Sequence, residues 1–423
     1  MPNIKNEPII PRAGESMIMV SKHYSSAAVK ASPATDLVPP RRAGRVEQLE
    51  AQIEKLRKRL RLAVIYGGDK SQEGAVIQQT FNPRSWKSYR AVAQDIAESL
   101  KRIGFNHVSL VADDMRLIEF LKREEIGLAW LNTGGVQGFN PMSHAAAMLE
   151  MCGVPYLGHD PLTVGTLDNK DAFKRDLVYL GFPTAPFMTW TLARGPFRPK
   201  VNSRFIRTFK DYVGPFVVKP VSGRASLHVQ LVEDEASLTE AVADVYHATE
   251  NHVMIETYLP GREYCIAVSG RVVAKGGRIM RRSEPFAFAA IERVLEPDEQ
   301  IFTSMDVRPI SADRVRMLDP KADADVLAQL QELARGVFIE MNLESLVRLD
   351  VRTNAHGHLN ILEANPKADL KAPTEDQTSI ICAALPNHDM DYDDLILSLF
   401  ADRIDLLLSQ RRGMVTRLTA LLE

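Results

Sequence analysis

Two short patterns carry the most chemistry: Arg348-x-Asp350 in VRLDVRTN (347–354) and Glu363-x-Asn365 in HLNILEAN (358–365). Residues two apart on a strand face the same side. A hairpin turning at Gly357 would therefore gather an arginine, two acids and an amide on one face. Leu349, Val351, Ile361 and Leu362 are apolar, so part of the hairpin must be buried. Acids beside a core need a cation or hydrogen bonds. Asp350, Glu363 and Asn365 are hard oxygen donors, of the kind Mg²⁺ takes when phosphate and water complete its shell. Arg348 beside them would neutralise charge on a transferring phosphoryl group. The plainer alternative is a surface hairpin of alternating polar residues.

Three weaker patterns accompany this one. Lys219 ends the apolar PFVVKP (215–220) and precedes the turn VSGRAS. A lysine there can reach phosphate as a point charge, or it can simply snorkel from a strand end. Glu256 and Glu263 bracket a Pro-Gly turn after a buried strand. The segment could offer backbone groups to a nucleobase and a carboxylate to a ribose, or it could be a polar turn. Lys170 and Lys174 lie four apart in DNKDAFK, one turn along a helix, where a solvated charged face is the ordinary expectation.

The surrounding elements must hold these groups. LAVIYGG (62–68), HVSLVADD (107–114) and IGLAWLN (126–132) read as buried strands, with helices at 86–103 and 143–153 between or after them. Such alternation predicts an open parallel α/β sheet, which binds ligands at the carboxyl ends of its strands. From about 155 the pattern becomes α+β, with strands near 215–220, 228–232, 253–259 and 264–277 and helices near 168–180, 236–249 and 322–341. The predicted division is a flexible tail at 1–45, an amphipathic helix at 46–60 and an α/β unit at 61–165. A smaller unit at 166–260, a larger one at 261–390 and a helical tail at 391–423 complete the chain. Leu49, Ile53, Leu56 and Leu60 give the 46–60 helix one apolar face. Two heptads are too short for a stable isolated coiled coil, so docking onto the body is expected, with a homodimer contact as the alternative.

The 423 residues allow about two to four domains. Fifty-two basic against 54 acidic residues give a net charge of −2, which provides no basic field for nucleic acid. Cys152, Cys265 and Cys382 are too scattered for a disulfide framework or zinc knuckle. No apolar run approaches the roughly 18 residues of a membrane span, and the N-terminus lacks a signal-peptide core. A cytoplasmic protein without nucleic-acid or membrane partners is expected.

In order and spacing, these segments resemble an ATP-grasp ligase, and within that group the D-alanine–D-alanine ligases, over roughly residues 62–385. The segments that match are LAVIYGG with Glu73, LEMCGVPYLG (149–158), DNKDAFK, GFPTAP, PFVVKP, the Glu256–Glu263 segment and the Arg-x-Asp…Glu-x-Asn hairpin. The resemblance implies an ATP-grasp fold, mixing α/β and α+β, with an N-terminal open parallel α/β (pre-ATP-grasp) domain. It implies that Lys170 and Lys219 contact ATP phosphates, that Glu256 and the backbone near Leu259 hold adenine, and that Glu263 binds ribose. Asp350, Glu363 and Asn365 would hold two Mg²⁺ ions, with Mn²⁺ as a substitute. Arg348 would stabilise the transferred phosphoryl group, and Glu73 would orient an amino group of the first substrate. The implied reaction joins a carboxylate to an amine through an acyl phosphate.

Three departures concern the amino-acid side. Ala225 stands in SGRAS where the family has a serine, PKADLKAPTED (366–376) replaces a Pro-Gly-Thr run, and 281–302 carries no counterpart of the family's tyrosine and lysine lid. Lys367, Lys371, Arg281 and Arg282 could read a more acidic substrate, or be solvated loop charges. The expectation is therefore a ligase acting on small amino-acid or carboxylate and amine substrates. A true D-alanine–D-alanine ligase of peptidoglycan synthesis and a non-catalytic ATP-binding scaffold are the alternatives.

Overall fold

The computed structural model describes residues 42–68, 71–72, 75–78, 86–223, 226–296, 299–301, 314–374, 379–410 and 415–423. The chain divides into two units, Met1–Arg42 and Ala43–Glu423, and the second contains all of the described strands. The first helix runs Arg42–Arg59 and so begins before the expected position 46. Leu49, Ile53, Leu56 and Leu60 are buried in one core with Ile96, Leu100, Phe105 and Phe400 of the same chain. The apolar face is therefore used internally.

The first sheet is parallel, in the order His107–Asp113, Arg61–Gly67, Leu128–Asn132, Tyr156–Leu157. Its strands read as continuous apolar runs because both faces are covered. Leu62 and Val64 point into the core shared with the first helix. Ala63 and Ile65 point into a second core with Leu117, Leu121 and Leu149.

A smaller antiparallel sheet follows, in the order Phe187–Trp190, Val253–Thr257, Phe216–Pro220, Gln230–Val232. Phe197, Phe205, Phe209 and Phe216 pack its core in tilted and edge-to-face contacts.

The largest sheet is antiparallel. Its order is Val315–Met317, Ile291–Arg293, Glu263–Ser269, Val347–Thr353, Leu359–Asn365, with Phe286–Ala287 also paired to Glu263–Ser269. Helix Ala324–Glu340 covers it through Leu330, Ala334 and Val337. Helix Lys170–Leu180, placed by sequence with the smaller unit, buries Phe173 and Leu177 in this larger unit's core. The expected strand at 264–277 is two strands, Glu263–Ser269 and Val272–Lys275. The break falls at Gly270, where a Cβ would lie 2.1 Å from the Asp402 carboxylate.

Residues after 391 are also unlike a tail. Helix Tyr392–Gln410 buries Leu395, Ile396, Leu397, Phe400, Ala401, Ile404 and Leu407. Apolar residues on more than one face make it a core helix rather than an appendage.

Candidate active site

The smaller sheet meets the larger one at an open cleft of about 780 Å³. The connection is Tyr258–Arg262, and it passes the larger sheet closely. The Gly261 N–H donates to Thr353 O at 3.0 Å, and a Cβ on Gly261 would lie 2.0 Å from Thr353 Oγ1. Only glycine fits that approach. Lys170, Lys219, Glu256, Leu259, Glu263, Asp350 and Glu363 all line the cleft. Arg348 and Asn365 are register partners two rungs along the hairpin from Asp350 and Glu363, and both bond to Asp350. Glu73 lies outside the described residues, as does Ala225.

Two buried carboxylates organise the cleft walls. On the larger sheet, Arg348 donates to both oxygens of Asp350 at 2.8 and 3.0 Å. Arg293 lies 3.3 Å from Asp350 and 2.8 Å from Glu263. Burial would push the Asp350 carboxyl up, but the two guanidiniums outweigh it and hold it below the usual carboxylate range. On the smaller sheet, Glu256 sits between Lys219 at 2.5 Å and Lys174 at 2.8 Å. Burial again works upward there, and the two lysines overcome it, bringing Glu256 to about 2. Lys170 joins the two walls, since its Nζ lies 3.1 Å from Glu363 and its N–H donates to Val221 O.

Asp350 and Glu363 are cross-strand neighbours beside a bulge in the hairpin. Among the described residues, no three His, Cys, Asp or Glu side chains converge as a closed metal cage. Two carboxylates on the wall of an open cleft, with the Asn365 amide beside Asp350, instead suit Mg²⁺, which accepts few protein ligands. The donor set therefore fits that ion.

Three residues in or behind the cleft walls escaped the sequence reading. Lys174 was expected on a solvated face, yet its side chain is 0% exposed and lies against Glu256 and the Phe187 ring. Arg293 was part of a segment that showed no matching pattern. Arg352, two residues beyond Asp350, donates to Gly261 O and approaches Glu263 at 3.6 Å. Its place in the same alternation was the one signal available.

The basic residues marked for an acidic substrate divide differently. Lys371 pairs with Asp95 at 2.8 Å, Arg281 pairs with Asp405, and Arg282 lies over the Phe286 ring. Lys367 lies over the Tyr89 ring and lines a second cleft of about 550 Å³ with Asn132, Gly158, Ser345 and Arg403.

Residues 177–401, more than half of the chain, match the family described as D-ala D-ala ligase C-terminus. The chain belongs to that family. The D-alanine–D-alanine ligase of Marinomonas sp. (strain MWYL1) is 24% identical over 335 residues, covering 79% of this chain and 93% of the relative. An uncharacterised protein, y4sG, of Sinorhizobium fredii is 26% identical over 293 residues, covering 67% and 80%. The crystal structure of D-alanine–D-alanine ligase from Bacillus anthracis superposes with a TM-score of 0.58 at 17% identity, over 82% of this chain and 98% of that one. The fold is thus the ATP-grasp fold with a parallel α/β domain before it, and the chain is a D-alanine–D-alanine-ligase-like ATP-grasp ligase. At these identities, family membership fixes the reaction class more firmly than the amino acids joined.

Proposed function

We propose that this protein is an ATP-dependent carboxylate–amine ligase whose amino-acid substrates differ from two D-alanines. One observation carries the reading: a single cleft lined by two cation-flanked buried carboxylates and by Lys170 and Glu363. A site that handles a polyphosphate needs cations for the phosphates and acids for a divalent metal side by side.

In this reading Lys170, Lys219 and Arg348 meet the phosphates. The backbone at Thr257–Leu259 faces the nucleobase, and Glu263 faces the ribose. Asp350, Glu363 and Asn365 would hold Mg²⁺, two ions with Mn²⁺ able to substitute, and the metal would supply neutralisation of phosphate charge. The role of Glu256 departs from the adenine contact that the family resemblance implies, because both its oxygens already face lysines.

A substrate carboxylate oxygen attacks the γ-phosphorus, the bond to the β–γ bridging oxygen breaks, and ADP leaves. An amine nitrogen then attacks the acyl carbon and loses a proton as inorganic phosphate departs. Arg348 stabilises charge on the transferring group, and the cleft walls hold the reactants and exclude water from the acyl phosphate. The second cleft supports a place for amino acids. Ser345 and Leu346 lead into the strand carrying Arg348, and Pro366 and Lys367 lead out of the strand carrying Asn365. Glu73 would hold the first substrate's amino group. Small-molecule substrates and a cytoplasmic location accompany this reading, and no described helix is long and apolar enough to cross a membrane.

Two measurements test the proposal. Calorimetry with ATP should show Mg²⁺-dependent binding, and no such binding would refute the enzyme. ADP release across a panel of D- and L-amino acids should favour a residue other than D-alanine. A clear D-alanine preference would instead support a true D-alanine–D-alanine ligase. Binding of ATP without turnover on any acid would leave a scaffold.

A further inference from the structure

The buried lysine of the Lys170–Leu180 helix has no role in the chemistry above. Lys174 does not line the cleft, and its side chain is 0% exposed. A lysine costs much to bury unless paired, and burial pushes its ammonium below the ordinary lysine range. Its partner is Glu256, whose side chain is 3% exposed and whose other oxygen holds Lys219. Lys219, 8% exposed, does line the cleft. The three groups therefore form a row running from the interior to the ligand wall, with one negative charge shared between two positive ones.

We propose that Lys174 is a positioning residue that makes Lys219 transferable to a nucleotide phosphate. The inference rests on the ATP-binding reading above. Without Lys174, Glu256 and Lys219 would form a closed neutral pair. Lys219 could then reach an anion only by leaving a bare carboxylate in the interior, which is strongly unfavourable. With Lys174 in place, Glu256 keeps a counter-ion when Lys219 moves away. The row also retains a net positive charge facing the cleft. Lys170, one helical turn earlier, pairs with Glu363 on the opposite wall. One short helix thus delivers a cation to each wall, and only the one at 174 is out of the ligand's reach.

The test is a double-mutant cycle on the full-length protein, read by calorimetry with Mg-ATP. Lys174→Met should weaken ATP binding about tenfold or more, and the KM for ATP should rise by a larger factor than kcat falls. In a Glu256→Gln background, where no buried carboxylate needs a counter-ion, the same change should alter the Kd less than about twofold. Lys174→Arg, which keeps the charge, should recover most of the affinity and serves if Lys174→Met does not fold. An equal loss in both backgrounds, or unchanged Kd in Lys174→Met with only a lowered melting temperature, would overturn the proposal. If wild-type protein fails to bind Mg-ATP, the underlying function falls too. If wild type binds and Lys174→Met binds equally, this inference alone falls.

Discussion

Four acids that the protein withdraws from water divide into two kinds. Asp350 and Glu256 lie on the walls of the nucleotide cleft, each between two cations, and their carboxyls are held below the ordinary range. Asp113 and Asp402 lie elsewhere. Asp113 ends a strand of the parallel sheet and accepts a hydrogen bond from Thr133 Oγ1 at 2.8 Å. Asp402, on the Tyr392–Gln410 helix, accepts from the Val272 N–H at 3.0 Å. Among the described residues neither has an ion-pair partner, and burial pushes both up to about 6. Desolvation pushes all four upward, but the outcome is opposite in direction. In the cleft, flanking cations keep the acids ionised, as a site beside phosphate needs. The other two acids serve turns and strand ends, where hydrogen bonding suffices.

The sharpest way to break this contrast is Asp350→Asn. It leaves Arg348 and Arg293 buried without their shared carboxylate. Removing one partner of a buried ion pair costs about 3–5 kcal/mol, so urea denaturation at pH 7 should show a loss of that order, together with loss of ADP formation. Unchanged stability would mean that the arginines find other partners and that the cluster is not a unit. Glu363→Gln should separate chemistry from stability on the same hairpin. The Glu363 side chain is 30% exposed and contacts Lys170, so the fold should be retained. Loss of a group that stabilises charge at the reacting centre costs about 10²–10³ in kcat, which a coupled ADP-release assay would measure. Near-wild-type turnover would remove Glu363 from the metal site.

Legibility in the sequence runs along the same division. The hairpin was legible because strand periodicity puts residues two apart on one face, so four groups could be placed from spacing alone. Their cations were not. Arg293 comes from a short strand paired to the far side of Glu263–Ser269, so nothing local links it to Asp350. Lys174 looked like an exposed charge one turn from Lys170, and helical spacing cannot tell a solvated lysine from one covered by another subdomain. The first helix was legible from its leucines, but the core position of the Tyr392–Gln410 helix was not. Its continuous apolar character was read as mere helicity, although a solvated tail would alternate with more charge.

The cation-poor acids allow a prediction of opposite sign. In the folded protein Asp113 releases its proton near pH 6, and in the unfolded chain near the ordinary 3.8. Its folded pKa is raised, so the unfolded state loses its proton first as pH rises. The cost to stability grows between about pH 4 and 6 and is complete above that. At 1.36 kcal/mol per pKa unit, the cost at pH 7 is at most about 3 kcal/mol. Asp113→Asn keeps an acceptor for Thr133 without a charge to bury, so it should stabilise the protein at pH 7 by up to that amount. The gain should shrink at pH 5 and vanish near pH 4. Chemical denaturation of both proteins at these three pH values measures it. Glu256 runs the other way, because its contribution persists above about 4.5 and is lost only as pH falls towards 2. A gain from Asp113→Asn that did not depend on pH would mean that packing, rather than a buried charge lacking a cation, sets the cost, and the contrast between the two kinds of acid would lose its electrostatic basis.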